Sequence, residues 1–311
     1  MRRSVAYSLI SGPECSVYYT ANMHLLRLRR ELFIFTFFLC VFSSGCLVRR
    51  RVVAPQGTRV AKPLLSATKE ELIEKIRRLS DPIQSFTMKT DMSPSIGSLY
   101  GGQVTDYPTI TGFIIFQRPD NIRIVGLDLV IHSTAFDMVS TGNEFRVSIP
   151  AKSQFIEGRN DAPSSSRNKL ENLRPAAFLN ALLISPPDPG KDIAFVEDDT
   201  NETKAVYILM MIRHEGDQYY PARNVYFDRY TLQVSRQKTF DTGGNILSET
   251  SYSDWAQHNG ISFPTTIDIE RPKDGYEVVL KIIDIKFNAN DVTPAKFVLN
   301  QPTGSQLKVL H

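Results

Sequence analysis

Apolar residues recur at helical spacing at Leu72, Ile73, Ile76 and Leu79, with Lys69, Glu70, Glu74, Lys75 and Arg77 elsewhere around the turn. This pattern predicts an amphipathic helix with one apolar face. Thr68 with Glu71 three residues on is a capping-box spacing, in which each side chain satisfies the other's free backbone N–H, and Asp81-Pro82 ends the helix. From Ser85 the period switches to two, predicting strands over residues 85–91, 112–118, 121–125, 133–140, 144–149 and 154–157. Arg118-Pro-Asp-Asn121 and Thr141-Gly-Asn143 supply the turns, and connections this short join antiparallel neighbours. Residues 92–111, with Ile96, Leu99 and Tyr100 among glycines and serines, read either as a mobile apolar tip or as a plain disordered connection.

Residues 159–172 are polar and predict a surface loop, after which Pro175 opens a second helix to about residue 184. Further strands are predicted over residues 193–197, 205–214, 222–227, 233–240, 246–254, 261–271 and 275–288, with Asp241-Thr-Gly-Gly-Asn245 as a hairpin turn. The order helix, strands, helix, strands predicts an α+β protein, mostly β, with an extended antiparallel meander. Phe113-Ile-Ile-Phe116 and Val206-Tyr-Ile-Leu-Met-Met-Ile212 are apolar without alternation. A sheet with one wet face alternates cleanly, so part of this one is either covered on both sides or lines an apolar cavity.

Ahead of these elements lies an apolar run, Leu32 to Phe42, preceded by Arg27, Arg29 and Arg30 and followed by Ser43-Ser-Gly-Cys46. A membrane-spanning helix needs roughly 20 apolar residues, and this run is shorter. A basic segment, a short apolar run and small residues before a cysteine instead make an export signal. It resembles the bacterial lipobox, with Ser43 standing where Leu is usual. The expected organisation is a mis-annotated start over residues 1–22, a lipoprotein signal over 23–45, a tether over 46–65 lipidated on Cys46, and one β domain over 66–311. Leu47 stands where Asp commonly signals inner-membrane retention in enterobacterial lipoproteins, which points to the periplasmic face of the outer membrane.

Loss of residues 1–45 removes five of the 36 Lys and Arg and two of the 33 Asp and Glu, leaving 31 of each. A nucleic-acid binder needs a basic surplus on one face, so nucleic acid is not an expected partner. Cys46 would be the one cysteine of the mature chain, and its acylation leaves neither disulfide nor thiolate chemistry. Arg49, Arg50, Arg51, Arg59 and Lys62 precede the first acid, Glu70. They read equally as a solvated linker or as a cluster drawn to anionic headgroups, at about 1 kcal/mol per charge.

Catalysis needs titratable groups that converge. His132, His214, His258 and His311 fall in separate segments, and Glu197-Asp-Asp199 reads more readily as a solvated run than as a cation site. Nucleophile-elbow, phosphate-loop and Cys-x-x-Cys motifs are absent from the sequence. The chain is therefore expected to be no enzyme and to carry no cofactor or metal. Tyr252, Trp255, Phe263 and Phe240 cluster in sequence, and core packing is favoured over a ligand cage.

Several stretches stand in a specific order: the first helix before Phe86-Thr-Met-Lys89, then Gly112-Phe-Ile-Ile-Phe-Gln-Arg-Pro-Asp-Asn-Ile-Arg-Ile124, then Phe136-Asp-Met-Val-Ser-Thr-Gly-Asn-Glu-Phe145. Val225-Tyr-Phe-Asp-Arg229, Phe240-Asp-Thr-Gly-Gly-Asn-Ile246, Tyr252-Ser-Asp-Trp255, Phe263-Pro264 and Phe297-Val-Leu-Asn-Gln-Pro-Thr-Gly304 follow. Over about residues 66–310 this order resembles the bacterial lipoprotein-localisation (LolA/LolB) family, and an anchored version resembles its acceptor more than its soluble carrier. The resemblance implies a curved antiparallel sheet, an unclosed half-barrel with helices covering the open face, and between them an apolar cavity that receives acyl chains. The implied partners are a membrane lipid or acylated lipoprotein, together with a periplasmic carrier or envelope complex. The candidate cavity lining is Ile73, Ile76, Phe113, Ile115, Ile124, Phe145, Val147, Phe178, Leu182, Ile208 and Met210. The rival reading is an envelope scaffold whose sheet is filled by its own side chains.

Overall fold

The computed structural model describes residues 63–98, 103–128, 133–160 and 175–310, all within the unit Pro55–His311. The start and signal segments, Cys46, the tether up to residue 62, Leu99, Tyr100, His132, His311 and most of the 159–172 loop lie outside the described residues. No helix among the described residues is long and apolar enough to cross a membrane.

Helix α1 (Lys69–Ser80) begins on the expected cap. The Thr68 N–H donates to Glu71 Oε2 at 2.8 Å and the Glu71 N–H to Thr68 Oγ1 at 3.2 Å. Thr68→Ala is expected to cost about 1 kcal/mol, read as a lowered urea midpoint. Leu72 and Ile76 are fully buried and Ile73 and Leu79 partly so. The strands are β1 (Ser85–Ser98), β2 (Gln103–Asp106), β3 (Ile110–Gln117), β4 (Asn121–Leu127), β5 (Thr134–Thr141), β6 (Glu144–Ile149) and β7 (Gln154–Arg159). Helix α2 (Pro175–Leu182) divides them from β8 (Asp192–Thr200), β9 (Ala205–Glu215), β10 (Gln218–Asp228), β11 (Val234–Phe240), β12 (Ile246–His258), β13 (Ile261–Arg271), β14 (Tyr276–Phe287) and β15 (Gln306–Leu310).

All fifteen strands form one sheet, in the order β15-β7-β6-β5-β4-β3-β1-β14-β13-β12-β11-β10-β9-β8, with β2 pairing β1 off this path. The sheet does not close, and it forms the expected curved half-barrel with the two helices on its open face. Two features differ from expectation. Residues 92–111 are not one loop: β1 runs on to Ser98 because β14 is long enough to pair it as far as Ile96↔Tyr276, and β2 folds back onto it, Ile96↔Thr105. The pairing is also not antiparallel throughout. The chain returns over the outer face through the short 3-10 helix Pro294–Phe297, and β15 then runs parallel to β7.

Along the inner face, register sets Met88 beside Ile114 and Ile285, Ile114 beside Ile124, Ile124 beside Met138, and Met138 beside Val147. All six are buried in the main core. A second, outer cluster contains Val139, Phe155, Val292, Phe297 and Leu299, with Ile115 packed against it. This accounts for the missing alternation in Phe113-Ile-Ile-Phe116, because the returning C-terminal segment covers the outer face there. Arg123 fixes that segment: it holds Asp137 at 3.0 and 2.6 Å and donates to the Lys296 carbonyl at 2.9 Å. The hydrogen bond to Asp137 raises the Arg123 pKa despite burial.

Candidate functional site

Two concavities of the inner face lie one on each side of α2. The first is an apolar cavity of about 330 Å³. Met92 and Ile96 of β1, Ile110 of β3, Phe136 and Met138 of β5, and Tyr276 and Val278 of β14 form its walls, and Phe178 of α2 also lines it. Tyr107, Pro108, Asp128 and Glu277 are also part of the lining. Two glycines in register, Gly112↔Gly126, deepen this part of the sheet. A Cβ on Gly112 would meet the Met92 side chain at 2.1 Å, and one on Gly126 would meet the Phe136 ring at 2.5 Å. Their missing side chains let Met92 and Phe136 lie across the sheet.

Helix α2 is tied to the sheet by polar side chains aimed at its carbonyls. Tyr252 Oη donates to the Ala181 carbonyl at 2.8 Å, and Gln237 Nε2 donates to the Asn180 carbonyl at 2.9 Å. Burial raises the Tyr252 pKa, with the nearby Arg223 charge opposing, so the phenol remains a donor at all ordinary pH. Around these bonds Phe178, Leu179, Ala181 and Leu182 are buried in the main core. Tyr252→Phe is expected to leave the fold intact and to speed exchange of the backbone amides of α2, as read by hydrogen–deuterium exchange. A net hydrogen bond is worth about 1 kcal/mol, which corresponds to roughly fivefold.

The second concavity, of about 400 Å³, is polar and lies at the other side of α2. Asn180 lines it where Phe178 lined the first, and Arg271 lines it where its cross-strand partner Tyr276 lined the first. Three arginines border it. Arg213 holds Asp192 through two hydrogen bonds at 2.9 and 3.1 Å, and the Asp192 side chain is 1% exposed. Burial pushes the Asp192 pKa up, but the Arg213 bonds and the Asp188 backbone N–H outweigh it, and the net shift is downward. Arg271 pairs with Asp274. Among the described residues Arg223 hydrogen-bonds neutral groups alone, the Met211 sulfur at 3.2 and 3.3 Å and the Pro186 carbonyl at 3.3 Å. Burial pulls its pKa down to about 10 although Asp192 opposes this, so it stays charged at neutral pH.

Of the eleven residues proposed from sequence as cavity lining, only Phe178 lines the apolar cavity. Ile76, Ile124, Phe145, Val147 and Leu182 lie in the main core, with Ile73 packed against it. Phe113 is instead 39% exposed, because its neighbours Ile114 and Phe116 take the inner positions of β3. Ile115 faces the outer cluster. Ile208 and Met210 alternate with the core residues Tyr207, Leu209 and Met211 and therefore face the other side. The wall residues Met92, Ile110, Phe136 and Met138 were not foreseen, though glycines inside two apolar strands were a readable signal of close approach.

The aromatic cluster divides. Phe263 packs in the core and Tyr252 bonds α2, while Trp255 Nε1 donates to the Val234 carbonyl at 3.2 Å. Phe240 borders the polar pocket. Asp198 and Asp199 are engaged by Arg229 and Lys204. Among the described residues no group of three or more His, Cys, Asp or Glu is arranged to hold a metal.

A sequence-family profile described as "-like: Uncharacterized protein" matches residues 187–296. No curated protein matches the chain in sequence. Among solved structures the fold resembles a LolA superfamily protein from Nitrosomonas europaea, at 14% identity over 75% of this chain and 99% of that one, with a TM-score of 0.48. It resembles a DUF1329 family protein from Desulfovibrio piger at 17% identity, covering 74% and 95% of the two chains, with a TM-score of 0.49. A domain described as an outer membrane lipoprotein-sorting protein, from Vibrio parahaemolyticus, is similar at 12% identity over 74% and 97%, with a TM-score of 0.49.

Proposed function

We propose that the protein is a non-enzymatic, lipid-anchored component of the bacterial envelope that binds the acyl chains of a lipid or lipoprotein for transfer or insertion at the outer membrane. The observation that carries this reading is the apolar cavity of about 330 Å³ between the inner face and α2, a volume within the range of small-molecule sites. Each methylene buried there contributes about 0.8 kcal/mol, so a few chains give useful affinity with no chemistry. Further chain length is accommodated when α2 lifts, breaking the two bonds from Tyr252 and Gln237. The anchor at Cys46 would keep the protein in the membrane plane, with residues 46–65 as its leash. The leash ends at a fixed point, because the Leu65 N–H donates to the Arg229 carbonyl at 2.7 Å.

One observation favours the scaffold reading: much of the inner face is filled by Leu72, Ile76, Phe178 and Leu182 of the protein itself. The deciding experiment is mass spectrometry of organic extracts from the full chain purified from a Gram-negative host in a neutral detergent. Near-stoichiometric phospholipid, fatty acid or acylated peptide is the expected result. A clean extract, together with failure to bind a fluorescent fatty-acid probe, would favour the scaffold.

A further inference from the structure

We infer that the polar concavity beside α2 is an oxyanion site, built to receive the anionic headgroup of the lipid whose chains occupy the apolar cavity. This rests on the acyl-binding reading and narrows it to a class of ligand. Three arginines converge on one pocket, yet two are already neutralised, Arg213 by Asp192 and Arg271 by Asp274. Arg223 is different. Its guanidinium has five N–H donors, and among the described residues it meets a thioether and one carbonyl rather than a carboxylate.

A partly buried cation whose hydrogen-bond partners are neutral is costly unless something compensates it, and the Asp192 carboxylate in the same pocket, already bound by Arg213, does so only in part. Two features of the surroundings indicate what does so. The pocket also holds the hydroxyls of Thr239 and Ser248, 2.7 Å apart, either of which can turn a proton outward. Gln237, which lines the same pocket, spends its amide N–H on α2 and leaves its buried Oε1 without a partner. An oxyanion against Arg223, carrying a neighbouring hydroxyl or ammonium for Gln237, satisfies both. A planar guanidinium suits phosphate or carboxylate in two-point contact.

Position links the site to the acyl cavity. Phe178 and Asn180 present the same short helix to the two concavities, and Tyr276 and Arg271 are cross-strand partners that line one each. A ligand with an apolar part and an anionic part can therefore lie across α2. Gln237 is the connection between headgroup and helix, since the residue that would meet the headgroup also holds the Asn180 carbonyl.

The test compares ligands with identical chains. The full chain in a neutral detergent is titrated with dioctanoylphosphatidylglycerol, dioctanoylglycerol and inorganic phosphate, with binding read by native mass spectrometry. The expected result is at least tenfold preference for the phospholipid over the neutral diacylglycerol. Arg223→Met should reduce that preference to less than threefold and leave diacylglycerol binding unchanged. With the wild-type protein alone, added phosphate should weaken binding of the phospholipid and not of the diacylglycerol, which keeps the test valid if the variant fails to fold. Equal affinity for the two lipids overturns the headgroup site and leaves acyl binding standing. Binding of phosphate with neither lipid overturns the acyl reading and the lipid form of this site together.

Discussion

Phe86→Ala is expected to lower stability by about 3–5 kcal/mol, the range for emptying a buried aromatic position. Phe86 is fully buried. Its ring centroid lies 5.2 Å from Phe116, 6.2 Å from Phe287 and 6.4 Å from Phe263. Such pairs add about 0.5–1.5 kcal/mol beyond area burial, so the loss includes ring contacts as well as volume. A domain has only about 5–15 kcal/mol in total, and the variant should unfold at a much lower urea concentration with an unchanged slope. The matched control is Phe113→Ala, one strand away and facing outward, where a cost of about 1 kcal/mol is expected. Equal costs at the two positions would mean that the inside and outside of β3 are assigned the wrong way round.

Asp268→Asn is expected to stabilise the protein above about pH 6 and to flatten its pH dependence. Burial, followed by repulsion from Glu277, Glu270 and Glu249, pushes the Asp268 carboxyl up to about 6, from an ordinary value of 3.8. Glu270 is raised for the same reasons, burial first. These carboxylates share neighbouring register positions, with Glu249↔Glu270 and Glu270↔Glu277 directly opposite. Between the two pKa values the folded state binds more protons than the unfolded one, so stability falls as pH rises through that window and the loss is complete above it. After discounting for partial exposure, the gain on substitution is about 1.5 kcal/mol at pH 8 and vanishes below pH 4. The check is a series of thermal midpoints at pH 4, 6 and 8; an unchanged pH slope would show that the carboxylates do not repel one another in the folded state.

Local patterns made most elements legible. Thr68 and Glu71 marked the start of α1, and Asp241-Thr-Gly-Gly-Asn245 marked the β11–β12 hairpin, where the Asp241 carboxylate accepts from the Gly243 and Asn245 backbone. What escaped was decided by distant partners. β15 is a strand because β7, some 150 residues earlier, offers it an edge, and nothing within Gln306–Leu310 records that edge. The same holds for the cavity. Apolar content identified β3 as buried, but only the outer cover of Val292, Phe297 and Leu299 decides that Ile115 is half-buried on the far side from Ile114. Arg223 lay in a segment read simply as a strand, and its significance depends on the carboxylates being taken by Arg213 and Arg271, which no spacing in the sequence reveals.

The place of β1 in the sheet has a consequence for how the chain reaches this state. β1 joins the first run of strands to the second by pairing β14, where Thr90 Oγ1 reaches the Lys281 carbonyl across 191 residues. The hairpins on either side form from neighbours in sequence, whereas this seam waits for nearly the whole domain to be made. Distant pairing of this kind is slow, and until β14 arrives one flank of β1 is an unpaired ladder able to recruit a strand from another chain. The middle of the finished sheet therefore closes late, followed only by the β15–β7 edge, and crowding of unfinished chains is expected to lower the yield through strand exchange at β1.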